Sequence, residues 1–397
     1  MSQLGVSALF AIFRNAFSAI AIASVAPVLF ACSTPYSPPI VTAPANQTVS
    51  AFPGIKQFAE RGDLRIVWIH GMCSHNRDWA DGRQALLESA LEASAPRFVE
   101  GQADPRDMEA EPYVVRDNTG FQGADIETRY LIWSPATKDA KERLKQDSDS
   151  EFTMATLNRD LKTGLMNDCL SDAVAYLGNP GDTIKQWLKA QVCDAMNGSL
   201  GRDNRCGSVK PLDRSVVFVS ESLGSKMLSD ALQAVWESAN RNTEDVLAAN
   251  VARVQMYYVI SNQIPMFNVA EYTPDEARAA GDRTGTGDLP GVDVFVEARE
   301  RARKTRAFPD TTLHYVEFTD PNDVLSYRLL SRDVDEGIGL TNVVVSNGPT
   351  YFGFLENPLT AHCGYRWNPY VLGILMNGYD GSAVETLDLP SARQSCL

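Results

Sequence analysis

Ser222 lies in the run Ser220-Glu221-Ser222-Leu223-Gly224, where small residues surround a candidate nucleophile. A serine hydroxyl is essentially un-ionised at neutral pH, so it attacks a carbonyl carbon only when a base takes its proton and an acid orients that base. The chain offers four histidines, His70, His75, His314 and His362. His314 falls inside the apolar run Leu313 to Phe318 and reads as a packed strand residue. His70 precedes Gly71 at the end of another such run. His362 lies between Leu355 and Tyr365, just before the last predicted helix, where a ring can reach across a site, and is the preferred base. Two carboxylates, Asp320 and Asp323, leave the strand that ends at Phe318. Asp320 also suits a turn before Pro321, and Asp323 an N-cap before Val324.

These groups must be held by strands and helices whose periodicity is legible. Val216-Val-Phe-Val219 is a continuous β-branched and aromatic run, as expected of a buried parallel strand. Beyond it Leu228, Ala231, Leu232 and Val235 recur at helical spacing. The tight junction between them would hold Ser222 above a sheet. Further strands are predicted at Leu64 to His70, Thr128 to Trp133, Val254 to Ile260, Thr312 to Phe318 and Leu340 to Val345. Helices are predicted at Asp78 to Leu91, Phe152 to Leu177, Thr183 to Met196 and Pro369 to Met376, with Gly178-Asn-Pro-Gly181 as a stop. Strands alternating with helices predict an α/β fold, a mostly parallel central sheet with helices on both faces.

The order strand-His70-Gly71, Ser220-x-Ser222-x-Gly224, Asp323, His362 resembles the α/β-hydrolase superfamily over about residues 60 to 380, with Ser220 where the GxSxG elbow has its first glycine. The resemblance implies an esterase- or lipase-like serine hydrolase with Ser222 as nucleophile, His362 as base and an acid between them in the chain. A short apolar step such as Val324-Leu325 usually follows that acid, which favours Asp323 and leaves Asp320 in reserve. It also implies an oxyanion hole from the backbone N–H groups of Met72 and Leu223, no metal and no organic cofactor, and a small-molecule or lipid ester as substrate. The stretch from Pro265 to Pro309 resembles a lid or cap inserted in a single domain spanning residues 56–397. With Asn118 to Gly123 it would shape an acyl pocket.

Residues 1–31, with Arg14 before the apolar stretch Ala16 to Phe30 and Leu29-Phe30-Ala31-Cys32 at the end, resemble a bacterial lipoprotein signal. That resemblance implies lipidation of Cys32 and attachment to a membrane of the cell envelope. The Pro-, Ser- and Thr-rich residues 32–55 then read as an extended tether. A formal charge of −14 over 397 residues argues against a nucleic-acid partner. Of the remaining cysteines, Cys73, Cys169, Cys193, Cys206, Cys363 and Cys396, the pair Cys193–Cys206 is the first expectation for a disulfide; the other pairings stay open. The basic run Arg299 to Arg306 reads as a solvated helix face. Two other functions fit the same residues: a metal site from His70, Cys73 and His75, and a catalytically inactive envelope scaffold that binds a lipid or protein partner.

Overall fold

The computed structural model describes residues 32–92, 111–148, 152–240, 242–271, 273, 291–305, 312–328, 337–352 and 355–387. In chain order the elements are β1 (Cys32–Ser33), β2 (Ile40–Thr42), α1 (Ile55–Glu60), β3 (Leu64–Ile69), α2 (Arg77–Leu91), β4 (Tyr113–Phe121), β5 (Ala124–Ile132), α3 (Lys138–Ser148) and α4 (Thr156–Asp160). A π-helical stretch (Leu161–Leu170) leads to α5 (Ser171–Leu177), α6 (Asn179–Ala195), β6 (Ser199–Leu200), β7 (Cys206–Gly207), β8 (Ser215–Glu221), α7 (Leu223–Glu237) and α8 (Glu244–Ala252). Then come β9 (Val254–Ile260), α9 (Ile264–Glu271), α10 (Val292–Thr305), β10 (Leu313–Thr319), β11 (Ile338–Val344), β12 (Thr350–Tyr351), α11 (Pro358–Cys363) and α12 (Pro369–Asn377).

Eight strands form the main sheet in the order β2-β11-β10-β9-β8-β3-β5-β4. The six inner strands run parallel, and β2 and β4 close the edges antiparallel. Buried on both faces, β8 explains its own composition. Val216 and Phe218 enter the core beneath α6, α7, α8 and α10, while Val217 and Val219 enter the core beneath α1, α2 and α12. Each such side chain contributes about 1.5–3 kcal/mol on burial, so the run Val216 to Val219 fixes β8 at the centre. The chain leaves β3 toward β5 on one side and returns to build β8, β9, β10 and β11 on the other. The carboxyl ends of β3 and β8 therefore flank a topological switch point, the place where open parallel sheets bind ligands.

Several expectations are corrected. Residues 32–55 are not simply a tether: Ile40–Thr42 pair with Asn342, Val343 and Val344 as an edge strand, and Gln47 bonds the backbone of Ile338 and Leu340. The β-branched Ile40-Val41-Thr42 supplies the strand, and the edge of β11 supplies the unpaired backbone groups. Thr128 to Trp133 is only the end of a longer hairpin strand, because β4 adds a polar, half-exposed partner that lacks clean alternation. The hairpin tip at Gln122-Gly123 lies beside the amino end of β5, where the Asp125 amide donates to Asp63, so Asn118 to Gly123 sits at the opposite end of the sheet from Ser222 and cannot shape its pocket. Gly178 caps α5, and Asn179-Pro180 begins α6 rather than ending a helix, since proline fits a first helical turn.

Part of the supposed insertion is structural. Helix α10 packs on α8, its Val292, Phe295, Ala298 and Ala302 buried beneath the sheet; residues 274–290 of the supposed insertion lie outside the described residues, as do the signal-like residues 1–31. Of the basic run, Arg303 and Lys304 are exposed and Lys304 pairs with Glu300, as expected of a solvated face, whereas Arg299 is buried and its guanidinium donates to the Ala252 and Val254 carbonyls. Cys193–Cys206 forms as expected, Cys73 pairs with Cys169, and Cys363 is also disulfide-bonded. No described helix is long and apolar enough to cross a membrane.

Candidate active site

Ser222 occupies the one-residue step between β8 and α7 with φ 54° and ψ −125°. A non-glycine residue there is strained, and the surroundings hold it: its N–H donates to the Ile260 carbonyl on β9 and its carbonyl accepts from Ser225 Oγ. Two glycines let the turn approach β3. A Cβ on Gly71 would stand 2.5 Å from Ser222 Cβ, and one on Gly224 would stand 2.6 Å from the His70 carbonyl oxygen. No such crowding arises at Ser220, which is buried with its hydroxyl 3.4 Å from the Tyr258 carbonyl. The departure from glycine is thus accommodated.

Ser222 Oγ lies 3.1 Å from His362 Nε2. On its other side His362 Nδ1 lies 3.0 Å from both carboxylate oxygens of Asp323. With a carboxylate facing Nδ1, the proton belongs on Nδ1 and Nε2 is left to accept from Ser222. His362 sits on α11, a short helix started by Asn357, whose side chain accepts the Leu359 and Thr360 amides, and by Pro358. Asp323 is buried, which pushes its carboxyl up, but the hydrogen bond and charge of His362, the Ser261 hydroxyl and the Leu325 amide together hold it below its ordinary value. Asp320, three residues earlier, points elsewhere: it accepts the Asn322 and Asn347 amides and so ties the loop after β10 to the loop after β11. The structure brings Ser222, His362 and Asp323 together and leaves Asp320 as a loop organiser.

Ser261 was missed from sequence. At the carboxyl end of β9, with φ 55°, it donates to Asp323 Oδ2 at 2.7 Å and stands 3.1 Å from His362 Nδ1. Tyr365 adds a second hydroxyl, 3.2 Å from Asp323 Oδ2. The only available signal was position: Ser261 ends the strand adjacent to the elbow strand.

Beneath the elbow, Glu221 is buried in a brace. Arg83 bonds both its carboxylate oxygens, Trp68 Nε1 donates to it, and Arg366 approaches to 3.3 Å. Burial raises this carboxyl, yet Arg83 and Arg366 outweigh it and hold Glu221 at about 2. Arg366 also donates to His75 Nε2.

Neither His70 nor His75 can serve as base or ligand. Trp133 N–H donates to His70 Nε2 and His70 Nδ1 faces the Gly71 carbonyl; His75 Nδ1 faces the Cys73 carbonyl. Burial lowers both imidazoles well below the ordinary range. Cys73 is bonded to Cys169, so the metal reading of His70, Cys73 and His75 fails, and the neighbouring group of Cys73, Asp168 and Cys169 has no free thiolate either. His314 packs on Phe52 within β10, and burial lowers it to about 4.

The loop after β3 is clamped to the helices that follow β5. Asp172 accepts the Cys73 amide, Asp168 accepts the Ser74 amide, and Lys141 pairs with Asp172. The π-helical stretch carries Asp168 and Cys169 to that loop. Met72 therefore lies on a fixed loop touching Ser222 through Gly71, and Leu223 opens α7 directly after Ser222. No protein-family model matches the chain and no curated protein is found to be similar to it.

Proposed function

We propose that this chain is a serine hydrolase of the α/β-hydrolase type that cleaves a carboxylic ester through an acyl-enzyme. The observation that carries the reading is the continuous hydrogen-bonded line Ser222 Oγ, His362 Nε2, His362 Nδ1, Asp323 at a strained elbow on the switch point of the sheet. As Ser222 Oγ attacks the ester carbonyl carbon, its proton passes to His362 Nε2, and Asp323 stabilises the imidazolium that forms. The tetrahedral oxyanion is placed against the N–H groups of Met72 and Leu223, each such donor being worth roughly 100- to 1,000-fold in rate. His362 then gives the proton to the departing alkoxide. Water attacks the acyl-enzyme with the same base and releases the acid. Attachment to a bacterial envelope membrane through lipidated Cys32 belongs to this reading, supported by the residues up to Cys32.

The test is turnover of a water-soluble short-chain nitrophenyl ester. Folded protein is expected to hydrolyse it, and Ser222→Ala to lower kcat by roughly 10⁴-fold or more with an unchanged unfolding curve. Undiminished turnover in Ser222→Ala would sink the reading, and so would a folded wild-type chain with no hydrolytic activity, which would point to a binding scaffold.

A further inference from the structure

Among the described residues, a group of exposed large apolar side chains lies on the segments that leave the carboxyl ends of β9, β10 and β11. That is the end of the sheet where Ser222 stands. The loop carrying the acid contributes Val324 and Tyr327, the stretch between β11 and α11 contributes Tyr351, Phe352 and Leu355, and α9 contributes Val269. Scattered apolar residues need no explanation, whereas a group gathered on neighbouring loops at one end of a sheet marks an interaction surface.

The path of the chain says what covers it. Cys32 and Ser33 pair antiparallel with Tyr351 and Thr350, placing the start of the described chain on this same rim. Thr350 Oγ1 is 3.5 Å from Asn322 Nδ2, and Asn322 adjoins Asp323. The stretch Ala16 to Phe30, outside the described residues, is apolar throughout except for Ser18 and Ser24 and ends immediately before that entry point. Whether a lipid on Cys32 or an apolar segment before it holds the chain to a bilayer, the attachment point sits within one loop of Asp323.

We propose that the face bearing Ser222, His362 and Asp323 docks on a lipid bilayer, with Val324, Tyr351, Phe352 and Leu355 entering the interface. Attachment at Cys32, paired directly with this rim, leaves the body no slack to turn away, and the site meets esters presented by the membrane itself. This orientation rests on the proposed reading for both the membrane attachment and the nature of the substrate; quenching tests the first and turnover the second.

The test uses the full chain in phosphatidylcholine vesicles containing a nitroxide-labelled lipid that quenches fluorescence at the headgroup level. A fluorescent residue in place of Leu355 is expected to be quenched, while one in place of Asp213, exposed at the amino end of β8, keeps its emission. Equal quenching at both positions, or none at Leu355, overturns the proposal, as does protection of the Leu355 probe by self-association in solution. The double change Phe352→Glu and Leu355→Glu is expected to lower hydrolysis of a long-chain ester embedded in those vesicles by about tenfold or more relative to a water-soluble ester, the scale set by losing large apolar side chains from an interface. An unchanged ratio contradicts the docking. Failure of the catalytic reading is separately visible, because quenching requires no turnover.

Discussion

Two buried carboxylates flank the elbow, and they do opposite things. Glu221 faces Arg83 and Arg366, whose charges are permanent, together with the Trp68 N–H. Asp323 faces His362, whose charge comes and goes, together with the Ser261 hydroxyl. Both carboxyls are held below their ordinary values against the cost of burial. A carboxylate paired with guanidinium is a fixed brace, since neither partner changes state in the working pH range. A carboxylate paired with imidazole can stabilise a proton that arrives during reaction. The comparison separates what holds the elbow from what uses it.

The sharpest way to break this division is Asp323→Asn. The amide keeps the shape but no longer fixes the imidazole tautomer, and kcat is expected to fall roughly 10⁴-fold while the thermal midpoint moves little. Ester turnover alongside calorimetry checks both halves.

Glu221→Gln should do the reverse. Breaking a buried pair while Arg83 and Arg366 stay behind is expected to cost about 3–5 kcal/mol of stability, measured by denaturant unfolding, with kcat of the folded fraction largely retained. The sign of the pH dependence follows from the depressed carboxyl. The wild-type brace contributes fully above the ordinary glutamate value of 4.5 and is lost as pH falls from there toward about 2. Glu221→Gln removes that component, so its stability relative to wild type should recover as pH drops through this window.

Ser261→Ala is the finest instrument. Losing one donor to a charged acceptor is expected to reduce kcat about tenfold with KM unchanged. A merely structural serine would change stability and leave kcat of the folded protein where it was.

Much of this arrangement was legible in the residues, and the gaps have physical causes. The apolar run Val216 to Val219 and the small residues around Ser222 located the elbow because burial and close packing dictate residue type there. The edge strand Ile40–Thr42 was hidden by prolines on either side: its strand character comes from the open edge of β11, a partner about 300 residues away. Choosing between Asp320 and Asp323 by sequence leaned on the apolar step after the acid; both suit a turn, and only the fold shows which carboxylate faces His362. Ser261 carried no local pattern, since its role depends on β9 and β10 ending side by side. Glu221 occupies a variable position of the elbow motif, and its partners Arg83 and Arg366 come from α2 and the turn after α11.

The most direct test of the central claim, that Ser222 is activated by His362, is covalent labelling with a fluorophosphonate, mapped by mass spectrometry. A single adduct on Ser222, absent from a folded His362→Ala variant, is the predicted result. A folded wild-type protein that takes no label, or that labels as fast without His362, would contradict it.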